Sequence, residues 1–252
     1  MESCDRAGAK SANFQTTQSN INVGRTRIAS GSAPTIPDYL RRTYRWAYLD
    51  ERNANYLDHD FIVRTILWHQ HKRLEEAAFT EIGQGQRVLQ SACVYGSFST
   101  NLAKHIGPNG KLEVVDVSDL QVRKCRKKLA DYRFTKIRHE NILHLPDDDF
   151  DSVCCYFLLH ELPDDYKQKA IKKLLRSVRP GGKVVFVDYH KPHWAHPIKP
   201  LTSLIFWLLE PYAKGLWHKN IATYAGKMAN VEWRKETFFG DLFQKVVATR
   251  TD

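Results

Sequence analysis

The chain has 252 residues, enough for one domain with an extension, and a 42% hydrophobic fraction with 12 Phe, 11 Tyr and 6 Trp supplies a packed core. Thirty-eight Lys and Arg against 28 Asp and Glu give a net charge of +10, which suits nucleic acid, anionic lipid or an acidic substrate without choosing among them. No run reaches the roughly 18 apolar residues of a bilayer span, no signal-peptide core follows Glu2 and Asp5, and five cysteines without a CxxC spacing argue against a disulfide framework.

Residues 1–36 are rich in Ser, Thr, Asn and Gly and lack periodicity, which predicts a disordered tail. Its several Arg allow a mitochondrial transit peptide, against which Glu2 and Asp5 argue. Over 37–82, Tyr39, Leu40, Tyr44 and Tyr48, then Phe61, Ile62, Thr65, Ile66 and Trp68, recur at intervals of three and four. This predicts a pair of amphipathic helices, an N-terminal helical lid in which Tyr44, Trp46, Tyr48 and Tyr56 could line a cleft. From residue 83 to 252 short apolar strands (87–90, 111–116, 136–140, 151–157, 183–188) alternate with helices (98–106, 119–132, 166–178). Residues 233–239 and 242–249 could add closing strands. Such βαβ alternation predicts an α/β fold with a parallel sheet, helices on both faces and ligands beyond the carboxyl ends of the strands.

Three features fall where an adenosyl ligand needs them. The first strand runs into Gln90-Ser91-Ala92-Cys93-Val94-Tyr95-Gly96. The second ends in Asp116, followed by Val117, where an acid can accept from ribose hydroxyls. The third leads to Asn141-Ile142, where a side-chain oxygen can meet an adenine amino group. Each alone is common, since an acid after a strand is often a helix N-cap. The three in order point to a nucleoside-type ligand.

The run 88–187 resembles a class I S-adenosylmethionine-dependent methyltransferase, on Phe157-Leu158-Leu159-His160-Glu161-Leu162-Pro163-Asp164 and on Leu175-Arg176-Ser177-Val178-Arg179-Pro180-Gly181-Gly182. The resemblance implies a class I methyltransferase-like Rossmann fold that binds S-adenosylmethionine. The glycine loop departs from the pattern: Gln90 stands for its acid, Ala92 and Val94 for two glycines, and Gly96 alone remains. Bare backbone normally approaches the cofactor there, so Val94 and Tyr95 predict a displaced methionine arm. The candidate cofactor contacts are Gln90, Ala92, Tyr95, Gly96, Asp116, Val117, Asn141, Ile142 and Phe157.

The altered loop, 88–99, and Phe186-Val187-Asp188-Tyr189-His190-Lys191-Pro192 are similar to the rhodoquinone biosynthesis (RquA) family over roughly residues 38–250. That resemblance implies conversion of ubiquinone to rhodoquinone, a ring methoxy group giving way to an amino group. It also implies S-adenosylmethionine as amino donor, Mn2+, and a peripheral place on a bacterial cytoplasmic membrane face or the mitochondrial inner membrane. Gln90 fits such chemistry, because a neutral amide does not stabilise the donor's ammonium as a carboxylate would. Tyr95 and His160 are the candidate catalytic residues, and His160, Asp188 and His190 the candidate manganese ligands, oxygen and imidazole suiting that ion; His193 and His196 share their loop.

Residues 192–220 read as an insertion at a membrane surface. Ile198, Leu201, Leu204, Ile205, Trp207 and Leu208 are flanked by Lys191, Lys199, Lys214 and Lys219, and Glu210 is the one acid in the apolar stretch. A buried cap is the alternative. Arg123, Lys124, Arg126, Lys127 and Lys128 lie on one helix without interleaved aromatics, a solvated or headgroup-facing surface and not a nucleic-acid site. Two other functions stay open: a conventional methyltransferase acting on a quinone or other lipophilic acceptor, and a non-catalytic donor-binding accessory protein.

Overall fold

A computed structural model describes residues 34–228 and 230–251. The predicted tail lies almost wholly outside the described residues. In chain order, helices α1 (Asp38–Thr43), α2 (Arg45–Tyr48), α3 (Glu51–Leu57), α4 (Asp60–Ile66) and α5 (His71–Phe79) precede the first strand. The predicted pair of helices is thus five short ones. Asp50 caps α3 by accepting from Asn53 N at 3.0 Å, and Trp68 and His69 take positive φ, which ends α4.

The remaining elements are β1 (Arg87–Gln90), α6 (Phe98–Ile106), β2 (Lys111–Asp116), α7 (Asp119–Lys128), β3 (Thr135–His139), β4 (Phe150–Tyr156), α8 (Asp164–Ser177), β5 (Val178–Tyr189), α9 (Lys199–Leu208), α10 (Gly215–His218), α11 (Ile221–Ala225), β6 (Val231–Phe238) and β7 (Phe243–Arg250). The strand order is β3-β2-β1-β4-β5-β7-β6. β7 runs antiparallel to β5 and β6, while the pairings among β1 to β5 are parallel.

Period-two alternation divides the core into two layers. Val114, Cys154 and Val185 face one layer with Leu74, Phe98 and Leu102. Val115, Cys155 and Phe186 face the other with Ile171, Leu174 and Leu175 of α8. Cys93, Cys125, Cys154 and Cys155 are free and buried, as small core residues. The expected strand at 183 begins earlier, at Val178. Its opening turn stays in the sheet because Gly181 has φ +77 and Gly182 has no Cβ to meet Arg179 O and Asp151 O at 2.8 and 2.9 Å.

Candidate functional site

A cleft opens beyond the carboxyl ends of β1, β2 and β4, where the switch in strand order leaves a crevice. Ala92 and Tyr95 supply its floor, Asp116 and Val117 one wall, Asn141 and Ile142 the next, and Phe157 and His160 the far end. The lid closes the top with Tyr39, Trp46 and Tyr48. Eight of the candidate residues therefore meet in one cavity.

Asp116 holds both the loop and its own turn. Its carboxylate accepts from Cys93 N at 2.9 Å and from Ser118 N at 2.7 Å. Burial pushes it up to about 6 against the pull of those backbone N–H groups. Asn141 Oδ1 accepts from Leu143 N at 3.0 Å, which shapes the short helical turn Ile142–His144. The acidic wall and the turn after β3 thus stand side by side in the cleft, where the sequence places a nucleoside-type ligand.

Gln90 and Gly96 do not line the cleft. Gln90 is fully buried beneath it and donates from Nε2 to Ala92 O at 2.7 Å and Ser99 Oγ at 2.8 Å. Its Oε1 has no partner. Gly96 turns away toward the lid. Its N–H donates to Asp58 Oδ1 at 3.0 Å, and its carbonyl accepts from Lys128 Nζ at 2.9 Å. Lys128 and Lys124 also pair with Asp58, so part of the basic helix α7 latches the lid. A Cβ on Gly96, which has φ +74, would meet Asp60 Oδ1 at 2.8 Å and Val63 Cγ2 at 3.2 Å. Gly96→Ala is expected to cost about 1–2 kcal/mol and lower the melting temperature by about 4 °C. An unchanged melting curve would mean that α4 does not press on this loop.

Tyr95 is a clasp. Its hydroxyl donates to Ala47 O in the lid and accepts from Gln121 Nε2 at 2.9 Å. Its ring stacks on Tyr48 at 5.5 Å and 4°. A bulky side chain between the Val94 and Gly96 positions of this loop thus carries the lid.

The predicted manganese ligands do not form a metal site. Asp188 is buried and spent. Oδ1 faces His160 Nδ1 at 2.9 Å and accepts from Tyr189 N at 2.7 Å, and Oδ2 accepts from Leu159 N at 2.8 Å. His190 stands apart, its Nδ1 on Asp241 O and its Nε2 on Lys235 Nζ, each at 2.8 Å. His196 Nε2 is taken by Phe239 O at 3.0 Å. Among the described residues no group of three His, Cys, Asp or Glu could hold a metal ion.

What Asp188 does is orient an imidazole. With Nδ1 fixed, His160 Nε2 lies 3.8 Å from Glu161 Oε1 and 3.9 Å from Glu210 Oε2. Burial alone would lower the His160 imidazole, but Asp188, Glu210 and Glu161 outweigh it and hold it at about 9. Burial pushes the Glu161 carboxyl up to about 8, with the His160 charge pulling the other way. Burial likewise raises Glu210. Tyr48 donates its hydroxyl to Glu161. Both shifts run the same way, toward a charged imidazole beside a protonated Glu161.

Of the four lid aromatics expected at the cleft, Trp46 and Tyr48 line it and Tyr44 and Tyr56 do not; sequence reasoning missed Glu161 and Glu210 as site residues. Glu161 follows His160 in the run after β4, and Glu210 is the lone acid of an apolar segment. An isolated carboxyl in such surroundings is itself a signal of function.

Residues 88–182 match a methyltransferase domain family. A demethylmenaquinone methyltransferase of Halalkalibacterium halodurans is 33% identical over 143 residues, 54% of this chain and 58% of that protein. The match thus spans little more than half of that relative's length. One from Staphylococcus aureus is 27% identical over 186 residues, 72% of this chain and 73% of that one. Among solved structures, the N-methyltransferase NodS of Bradyrhizobium japonicum in complex with S-adenosyl-L-homocysteine has a TM-score of 0.56 at 15% identity, over 86% of this chain and 100% of that chain. A SAM-dependent methyltransferase from Aquifex aeolicus has a TM-score of 0.53 at 19% identity, over 80% and 98%. The fold is that of the class I methyltransferases.

Proposed function

We propose that this chain transfers the methyl group of S-adenosylmethionine to a quinone-type acceptor. The observation that carries the reading is the group of buried His160 and Glu161 with half-buried Glu210, which faces an aromatic chamber at the end of β4 beside the Asp116 wall. The demethylmenaquinone methyltransferases among its relatives support the acceptor class.

The donor supplies an electrophilic methyl on sulfonium; every other task falls to the chain. Asp116 and the turn at Asn141 orient the nucleoside. Tyr48, Phe157 and Tyr189 give the flat ring of the acceptor apolar faces. The chamber end must accept a proton from the acceptor's hydroxyl or ring carbon. Glu161, once ionised, takes it, and His160 Nε2–H stabilises developing negative charge on the neighbouring oxygen. The lid excludes water, held by the Tyr95–Ala47 and Lys128–Asp58 contacts.

A second reading is amination of ubiquinone to rhodoquinone: the donor's α-nitrogen bonds to the ring carbon as the methoxy group leaves as methanol, the quinone ring oxidises the attached Cα–N bond to an imine while becoming a quinol, and hydrolysis leaves the amino group on the ring and the donor's skeleton as a 2-oxo acid. Its support is the resemblance of the loop at 88–99; Gln90 leaves that loop position without a carboxylate but lies beneath the cleft and does not itself separate the two readings. Isotopes separate the readings. The chain is incubated with donor bearing 13C on the methyl or 15N on the α-amine, with demethylated quinol or ubiquinone as acceptor. The methyl reading expects 13C in the product quinone. Product carrying 15N and lacking one methoxy group would replace it with amination, and donor binding without any labelled product would leave an accessory role.

A further inference from the structure

We infer that the outer face of α9 is a docking surface for an anionic lipid bilayer. Most of the helix is apolar, yet only one side packs inward. Thr202 and Phe206 pack inward. Leu201, Leu204, Trp207 and Leu208 cover the opposite arc and stand open, Trp207 at 70% and Leu208 at 60% exposure. Trp194, 80% exposed, precedes the helix in the chain and Leu209, 44% exposed, follows it. Single exposed apolar residues are ordinary; a contiguous stripe of large ones is a contact surface.

Charge says what covers it. Residues 191–220 carry Lys191, Lys199, Lys214 and Lys219 and a single acid, Glu210. Glu210 turns into the cleft toward His160 and leaves the outer side without an acid of its own from this segment. A two-fold contact between copies would set these lysines against each other. Anionic headgroups would neutralise them, while Trp and Leu enter the boundary between headgroups and chains. No helix among the described residues is long and apolar enough to cross a membrane, so the contact lies along the surface.

The position of the patch gives it a use. Glu210, one residue after Leu209, lines the cleft, as do the exposed lid residues Trp46 and Ile66. A lipid-soluble acceptor leaving the bilayer at α9 would enter without crossing water, whichever group is then transferred.

The test is co-sedimentation of the full chain with vesicles of phosphatidylcholine alone or with 30% phosphatidylglycerol, about one lipid in three so that the surface is clearly anionic. Wild type is expected to bind the anionic vesicles about tenfold more tightly than the neutral ones, the more so at low salt. L204S/W207S/L208S should lose at least about tenfold of that binding, while keeping its circular dichroism and its affinity for S-adenosylhomocysteine. K199E/K214E, which leaves the apolar stripe intact, should lose the preference for anionic vesicles. Absence of wild-type binding to either vesicle would overturn the inference. So would a wild-type dimer by light scattering that the triple variant turns into monomer, since the stripe would then be covered by a second copy.

Discussion

Glu161→Gln is expected to lower turnover on a quinone-type acceptor about 100-fold, the usual loss when a positioned general base is removed. Gln keeps the shape and can still accept from Tyr48, so the cleft should survive. The pH dependence gives the firmer check. With the carboxyl at about 8, the wild-type rate should climb as pH rises through that value, and the variant's residual rate should lack this limb. A variant with the same limb would move the base elsewhere in the cluster, to Glu210 first.

The same substitution has a stability effect of opposite sense. Glu161 rises from an ordinary 4.5 to about 8 on folding, and His160 from 6.5 to about 9. Both hold protons more tightly in the folded chain. Their contribution is present in full below about pH 4.5 and 6.5 respectively, and is lost as pH climbs through about 8 and 9. Near pH 5 the neutral Gln is a fair copy of the protonated acid, and melting temperatures should nearly coincide. At pH 9 the variant no longer buries a carboxylate and should be more stable by on the order of 3 kcal/mol, about 5–10 °C. A mutant that melts below wild type at pH 9 would show that the Glu161 charge is well compensated by His160.

Asp116→Ala is expected to weaken binding of S-adenosylhomocysteine at least about 100-fold by calorimetry. Two hydrogen bonds from ribose hydroxyls to a carboxylate are worth about 3 kcal/mol together. The substitution also strands the N–H groups of Cys93 and Ser118, which now donate to that carboxylate, so the loop that floors the cleft loses its anchor. Asp116→Asn, which keeps one acceptor, should fall between. Because burial holds this carboxyl at about 6, wild-type affinity should itself decline as pH drops through that value. Equal affinity in wild type and Asp116→Ala would remove the nucleoside from this wall.

The sequence alone determined the alternation of strands and helices from Arg87 onward and the place of the cleft, because apolar periodicity and the residue at a strand's end are local properties. It gave the acid at Asp116, the turn at Asn141 and the His160–Glu161 pair as neighbours in the chain. Local signals also overreached. A loop crowded with Asp188, His190, His193 and His196 looks like a metal site until the tertiary fold sends Asp188 to His160 Nδ1 and His190 to Asp241. Only the folded chain brings Glu210, 49 positions after Glu161 in the numbering, to the same imidazole. Only there does Tyr95 reach Ala47, or Gly96 prove to be small for the sake of the lid. Hydrogen-bond partners far apart in sequence are chosen by packing, and the period of a helix or strand carries no information about which distant group will fill the space beside it.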